Sequence, residues 1–123
     1  MFELKVISKF AAAHQLKMVT QKCENLHGHN WKVEAFVSGN KLNDAGVLID
    51  FGEIKKRLSE IMDILDHKFL NEIEPFNTCN PSSEMIARFI AEELQARMTD
   101  RSVAVSKVCV WESDDACATY IIG

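Results

Sequence analysis

The stretch His29-Asn30-Trp31-Lys32-Val33-Glu34-Ala35-Phe36-Val37-Ser38 places Trp31, Val33, Ala35 and Val37 in alternation with Asn30, Lys32 and Glu34. Successive side chains of a strand point to opposite faces, so this period specifies a strand with one buried face, and Ser38-Gly39-Asn40 breaks it. Toward the N-terminus, Phe2, Leu4, Val6 and Phe10 repeat the same period over residues 2–10, giving a second strand suited to antiparallel pairing with the first. Toward the C-terminus the period changes. Phe51, Ile54, Leu58, Ile61 and Leu65 form a helical apolar stripe, with Asp50 as its N-cap and Glu53 three positions on completing the form of a capping box. A second helix is predicted to open at Asn80-Pro81, with Asn80 capping, Pro81 in the first helical position, and Ile86, Ala87, Ile90, Leu94 and Met98 facing inward. Period two returns over 103–112, and Asp114-Asp115 separates that strand from a last one over 117–122. The order is β-β-α-α-β-β with no linker, repeat or composition shift. It predicts one α+β domain over residues 1–123, a four-stranded, largely antiparallel sheet with both helices on one face.

Composition excludes several classes of function. With 47% apolar and 26% charged residues the chain is an ordinary folded protein rather than a disordered one. A net charge of -4 offers no basic face for neutralising phosphates, so no nucleic-acid partner is expected. The N-terminal Met1-Phe2-Glu3-Leu4-Lys5 lacks the apolar core of a signal peptide, and no run approaches the roughly 20 apolar residues that span a bilayer. A cytoplasmic location without membrane attachment is therefore expected. Cys23, Cys79, Cys109 and Cys117 are scattered singly, which argues against a disulfide framework; Cys109 and Cys117 fall within apolar strand patterns.

The chemistry-bearing residues gather early, in Cys23-Glu-Asn-Leu-His27-Gly28-His29. On a strand, His27 and His29 project from the same face, and Gly28 between them permits close backbone approach. His14 has the parity of Phe2, Leu4, Val6 and Phe10, so an extended Ala11-Ala12-Ala13 carries a third imidazole toward the pair. Three neutral histidines with one open position form the donor set of a catalytic zinc, although an isolated His-x-His is more often a pair of backbone-bonded loop residues. By spacing, Cys23 is either a fourth ligand closing the site or a reactive thiol beside it. Asp66 precedes His67, where a carboxylate can fix the imidazole tautomer for proton transfer, or His67 can simply be a cation at a helix end. Glu112 continues the apolar face of Val108 and Val110, so its carboxylate either reaches water or meets a ligand presenting two adjacent N–H donors. Lys17, Lys22, Lys32 and Lys68 are candidate anion contacts.

Taken in order, Phe10-Ala-Ala-Ala-His14, Cys23-x-x-x-His27-Gly28-His29, Gly46-Val-Leu-Ile-Asp50-Phe51, Leu65-Asp66-His67, Pro81-Ser-Ser-Glu84 and Trp111-Glu112-Ser113 resemble the 6-pyruvoyltetrahydropterin and 6-carboxytetrahydropterin synthase family. Nearly the whole chain carries the resemblance. It implies the T-fold, zinc on His14, His27 and His29, Cys23 as general base, Asp66 with His67 as a proton relay, and Glu112 holding the amino-pyrimidine edge of a pterin. The three residues between Cys23 and His27 resemble the bacterial carboxy-forming branch of queuosine biosynthesis. For that branch the implied substrate is 7,8-dihydroneopterin triphosphate, and the products are 6-carboxy-5,6,7,8-tetrahydropterin, acetaldehyde and triphosphate. The alternatives are pyruvoyl formation without side-chain cleavage, and a non-catalytic zinc-stabilised module. A homohexamer built as a dimer of trimers is also implied. Trp31, Ser82 and Ser113 stand where the family more often has Tyr or Phe, Thr and Thr.

Overall fold

A computed structural model describes residues 1–17 and 26–122. Strand β1 (Phe2–His14) pairs antiparallel with β2 (His27–Gly39) in unbroken register from Phe2↔Gly39 to His14↔His27. Helix α1 (Phe51–Leu65), the short strand β3 (Lys68–Phe69) and a 3₁₀ turn (Leu70–Glu72) follow, then helix α2 (Ser83–Arg97) and the strands β4 (Val103–Ser113) and β5 (Ala116–Ile121). The sheet runs β3-β1-β2-β4-β5, with α1 lying along β1 and α2 along β4 and β5.

The expected α+β T-fold architecture is present, but among the described residues the sheet has five strands rather than four. The extra one, Lys68–Phe69, pairs parallel with Ala12 and Ala13. Just before it the chain turns through His67, whose φ of 56° lies in the left-handed region and whose N–H donates to the Ala11 carbonyl at 2.6 Å. Two residues are too few to show a period, so nothing in the pattern marks this strand. The second correction concerns α2, which opens at Ser83 rather than at Asn80-Pro81. Ser82 is the cap, its hydroxyl accepting from the N–H of Met85. Asn80 is unavailable because its side-chain amide is bonded to the backbone of Lys17. At α1, Asp50 caps by accepting from the N–H of Gly52. Glu53 turns instead to Arg57 one turn on, so the reciprocal half of the expected box does not form.

Both helices cover the face that carries Val6, Phe10, Trp31, Val33 and Val37, and one apolar core runs between the layers. Ile54, Leu58 and Ile61 enter it from α1, and Ile86, Ile90 and Leu94 from α2. Gly39 ends β2 where a Cβ would sit 2.8 Å from the Ser102 carbonyl oxygen, which is why the strand can stop there against the neighbouring turn. On the helix-free face Glu34 is largely buried. It accepts from Trp111 Nε1 at 2.6 Å and pairs with Lys5 at 3.1 Å, and the Trp111 bond, against burial, holds its carboxyl below the ordinary value.

Leu58 is 1% exposed, so Leu58→Ala is expected to cost about 2–5 kcal/mol. Ser82→Ala should cost about 1 kcal/mol through the lost cap. Urea unfolding checks both as lowered midpoints at unchanged slope.

Candidate metal centre

The paired residues of β1 and β2 run to His14↔His27, and His29 lies two residues further along β2 on the same face. The three rings meet nearly edge to face, with centroids 4.5 Å apart for His14 and His27, 4.6 Å for His27 and His29, and 5.2 Å for His14 and His29. Trp31, fully buried, forms the floor beneath them, its ring 5.0 Å from His14 and 5.2 Å from His29. That floor is itself fixed. Trp31 stacks on Phe10 at 5.7 Å and donates its Nε1–H to the Ala12 carbonyl at 3.3 Å.

His14 is almost wholly buried, and its Nδ1 lies 2.8 Å from the Pro81 carbonyl oxygen. A carbonyl only accepts, so Nδ1 carries the proton of the neutral ring and Nε2 presents its lone pair to the cluster. The Nε2 atoms of His14 and His27 stand 2.9 Å apart. Glu112 reaches in from β4, with Oε1 at 2.8 Å from His29 Nε2, 3.6 Å from His14 Nε2 and 3.7 Å from His27 Nε2. Despite the short separation, His29 Nε2 makes no hydrogen bond that satisfies it, and among the described residues it is a buried polar atom without a partner. Distance alone is met there; the direction is not.

This orphaned nitrogen decides how the cluster is read. Ligand atoms of His14, His27, His29 and Glu112 lie within 4.8 Å of one another, a group that could hold a metal ion. Burial lowers the pKa of His29, with the neighbouring imidazoles adding to it and Glu112 opposing, so the ring is neutral at pH 7 as a ligand must be. Burial opposes ionisation of Glu112, but the Ser83 hydroxyl and the three imidazoles outweigh it and hold the carboxyl below its usual value. Three imidazole nitrogens with one carboxylate oxygen suit zinc among the divalent ions.

Several residues of the site carried no signal of their own in the sequence. Ser83 donates its hydroxyl to Glu112 Oε2 at 3.0 Å, and Pro81 supplies the carbonyl that orients His14. Beside Glu112 opens a cavity of about 370 Å³ lined by residues that include Ser83, Ala116, Ala118 and Thr119. Asp66 and His67 do form a dyad, with Asp66 Oδ2 at 2.9 Å from His67 Nδ1 and Asp66 Oδ1 accepting the Ala11 N–H at 2.8 Å. The Ala11 bond, with burial opposing and His67 assisting, lowers the pKa of Asp66. His67 is not a member of the metal cluster, and its side chain is 82% exposed. Of the expected anion contacts, Lys32 lies over the Trp111 ring at 5.3 Å. Cys23 and Lys22 fall outside the described residues.

Residues 3–121 match the family described as 6-pyruvoyl tetrahydropterin synthase. The chain is 34% identical to a putative 6-carboxy-5,6,7,8-tetrahydropterin synthase of Archaeoglobus fulgidus, over 92% of this chain and 90% of that protein. It is 30% identical to the 6-carboxy-5,6,7,8-tetrahydropterin synthase of Haemophilus influenzae, over 98% of this chain and 99% of that one. Among solved structures, the 6-pyruvoyl tetrahydropterin synthase of Caenorhabditis elegans superposes with a TM-score of 0.88 at 26% identity, covering 99% of this chain and 96% of that chain.

Removing any one imidazole should abolish tight metal binding. His29→Ala is expected to copurify with less than about a tenth of the wild-type metal while keeping its fold, since two remaining histidines hold a divalent ion weakly. Elemental analysis alongside circular dichroism checks it.

Proposed function

Because the chain belongs to the 6-pyruvoyl tetrahydropterin synthase family, we propose that it is a zinc-dependent 6-carboxy-5,6,7,8-tetrahydropterin synthase of queuosine biosynthesis, acting in the cytoplasm. Its overall reaction converts 7,8-dihydroneopterin triphosphate and water to 6-carboxy-5,6,7,8-tetrahydropterin, acetaldehyde and triphosphate. The observation that carries the reading is the placement of one carboxylate, Glu112, between a three-imidazole cluster and an open cavity. Support for the carboxy-forming branch comes from relatives of that name matched along nearly the full chain, together with the three residues between Cys23 and His27.

In this reading His14, His27 and His29 hold zinc, which when bound makes the hydroxyls of the substrate side chain more acidic. Glu112 leaves the imidazoles and accepts two N–H bonds from the amino-pyrimidine edge, a geometry that suits a carboxylate and a planar donor pair. Ser83, bonded to Oε2, sets the orientation of that carboxylate. Cys23 takes a proton from the side chain as general base, its thiolate favoured by nearby positive charge. Asp66 fixes His67 with Nδ1 protonated, so Nε2 is the atom that exchanges protons with the substrate. His67 is exposed at the β1 edge, which suits service at the site of a second copy of the chain. Beyond residues 12–13, β1 carries no partner on its outer side among the described strands. β5 is likewise the outermost strand of the other edge, so edge pairing between copies fits a homo-oligomer, a dimer of trimers.

The second reading, pyruvoyl formation, is favoured by the close superposition on the Caenorhabditis elegans enzyme. Zinc-loaded protein incubated with dihydroneopterin triphosphate is expected to release acetaldehyde and triphosphate in equal amounts. Triphosphate without acetaldehyde would move the assignment to the pyruvoyl branch, and release of neither would leave the binding-module alternative. Cys23→Ala should stay folded and zinc-bound while turnover falls by about 10²-fold or more. Glu112→Gln is expected to keep its zinc and raise KM sharply, measured by steady-state kinetics beside metal analysis.

A further inference from the structure

His14 is the last residue of β1, and the backbone just beyond it is held from the side by other parts of the chain. Two asparagine side chains make these bonds. Asn71, in the 3₁₀ turn, accepts the N–H of Gln15 on Oδ1 at 2.9 Å and donates Nδ2–H to the Gln15 carbonyl at 2.7 Å. Asn80 does the same for Lys17, accepting its N–H at 2.8 Å and donating to its carbonyl at 2.6 Å. Each amide bonds both backbone groups of one residue, as a partner residue does in the hydrogen-bonded pair of an antiparallel ladder. The residue type follows from that geometry. A side-chain amide holds a donor and an acceptor together, whereas Asp has no donor and Ala has neither.

The second clasp is joined to the metal cluster through one peptide. Asn80 is followed by Pro81, whose carbonyl accepts from His14 Nδ1 at 2.8 Å. A proline restricts the residue before it to extended backbone, so the Asn80 amide and the Pro81 carbonyl are presented together from a stiff segment. That segment holds His14 by its ring and the chain just beyond it by its backbone. His14 is the last residue of β1, and its Nε2 must stand within tenths of an ångström of a common point if the cluster is to hold an ion.

We propose that Asn71 and Asn80 are positioning residues of the metal centre, clasping residues 15 and 17 so that the end of β1 keeps His14 in place for the ion. The inference rests on the reading of His14, His27, His29 and Glu112 as a metal site. Neither asparagine touches the cluster in any described contact. Both act through the backbone beyond His14, and Asn80 acts in addition through Pro81.

Metal-free full-length protein titrated with cobalt(II), read by its visible absorption and by competition with a chelator, tests this. Asn71→Ala and Asn80→Ala are each expected to weaken cobalt binding by about tenfold or more, the size seen when groups that orient metal ligands are removed, and to alter the visible band. The thermal midpoint of the metal-free protein, measured in parallel, separates positioning from general stability. Asn71→Asp and Asn80→Asp keep the acceptor and lose the donor, so they should fall between wild type and Ala, and they carry the measurement if an Ala variant fails to fold. Binding within twofold of wild type in folded variants would overturn the proposal. So would a loss of affinity that merely follows unfolding of the metal-free protein. If wild-type protein shows no cobalt binding sensitive to His29→Ala, the metal reading itself fails and the proposal falls with it. Wild-type binding with unaltered variants removes the proposal alone.

Discussion

The unbroken register between β1 and β2 is the constraint on which the rest of the structure depends. Thirteen residues of each strand are paired in antiparallel order. Side chains alternate without a bulge along this pair, so the parity that buries Val6, Phe10, Trp31 and Val33 also delivers His14, His27 and His29 to one face at one end. A slip of one residue would send the core to solvent and separate the imidazoles at the same time. Core formation and ligand convergence are thus enforced by the same hydrogen bonds, and α1 and α2 stabilise both when they cover that face. The irregularity between Phe36 and Val37 lies on the other side of β2, in its pairing with β4, and leaves the ligand end untouched.

Where the site departs from a simple extension of the sheet, it is tied in by caps and turns. The segment before α2 illustrates this. Pro81, Ser82 and Ser83 are successive, and each makes a different bond: to the His14 ring, to the α2 backbone and to Glu112. One short stretch therefore sets the helix start, the tautomer of one imidazole and the orientation of the acid. Because the hydroxyl of Ser82 is spent on the helix, only that of Ser83 faces the acid. Glu112 is held ionised against its partial burial by Ser83 and the rings, so a negative group is kept beside the imidazole cluster.

Much of this was legible in the sequence. Period two and period 3.6 are direct images of one-sided burial, which is why both long helices and four of the strands could be read, and why the parity of His14 with Phe10 pointed to the right face. What could not be read depends on side chains meeting across the chain. Asn80 has the form of a helix cap, and only the position of Lys17 shows that it bonds elsewhere. The two residues of β3 have no period to show, and the left-handed turn at His67 that introduces them follows no glycine signal. Glu112 was read as a ligand-binding acid; its place within 3.7 Å of the imidazoles emerges only once β4 is laid beside β2. For Cys23, Asp66 and His67 spacing leaves the roles open, and only the family resemblance implies them.

The site is also uneven in how far apart its parts lie along the chain. His14 and His27 are separated by 13 positions and meet through a single strand pair, whereas Pro81 comes to His14 across 67 positions. Closing a short loop costs less conformational entropy than closing a long one, and local contacts form earlier in folding on average. The three imidazoles are in that sense a low-contact-order cluster, gathered when one pair of neighbouring strands is complete. The acid and its hydroxyl partner require α2 and β4 in place. Bringing the imidazoles together is therefore a local event, while orienting His14 and placing the acid beside the cluster draw on contacts made across most of the chain.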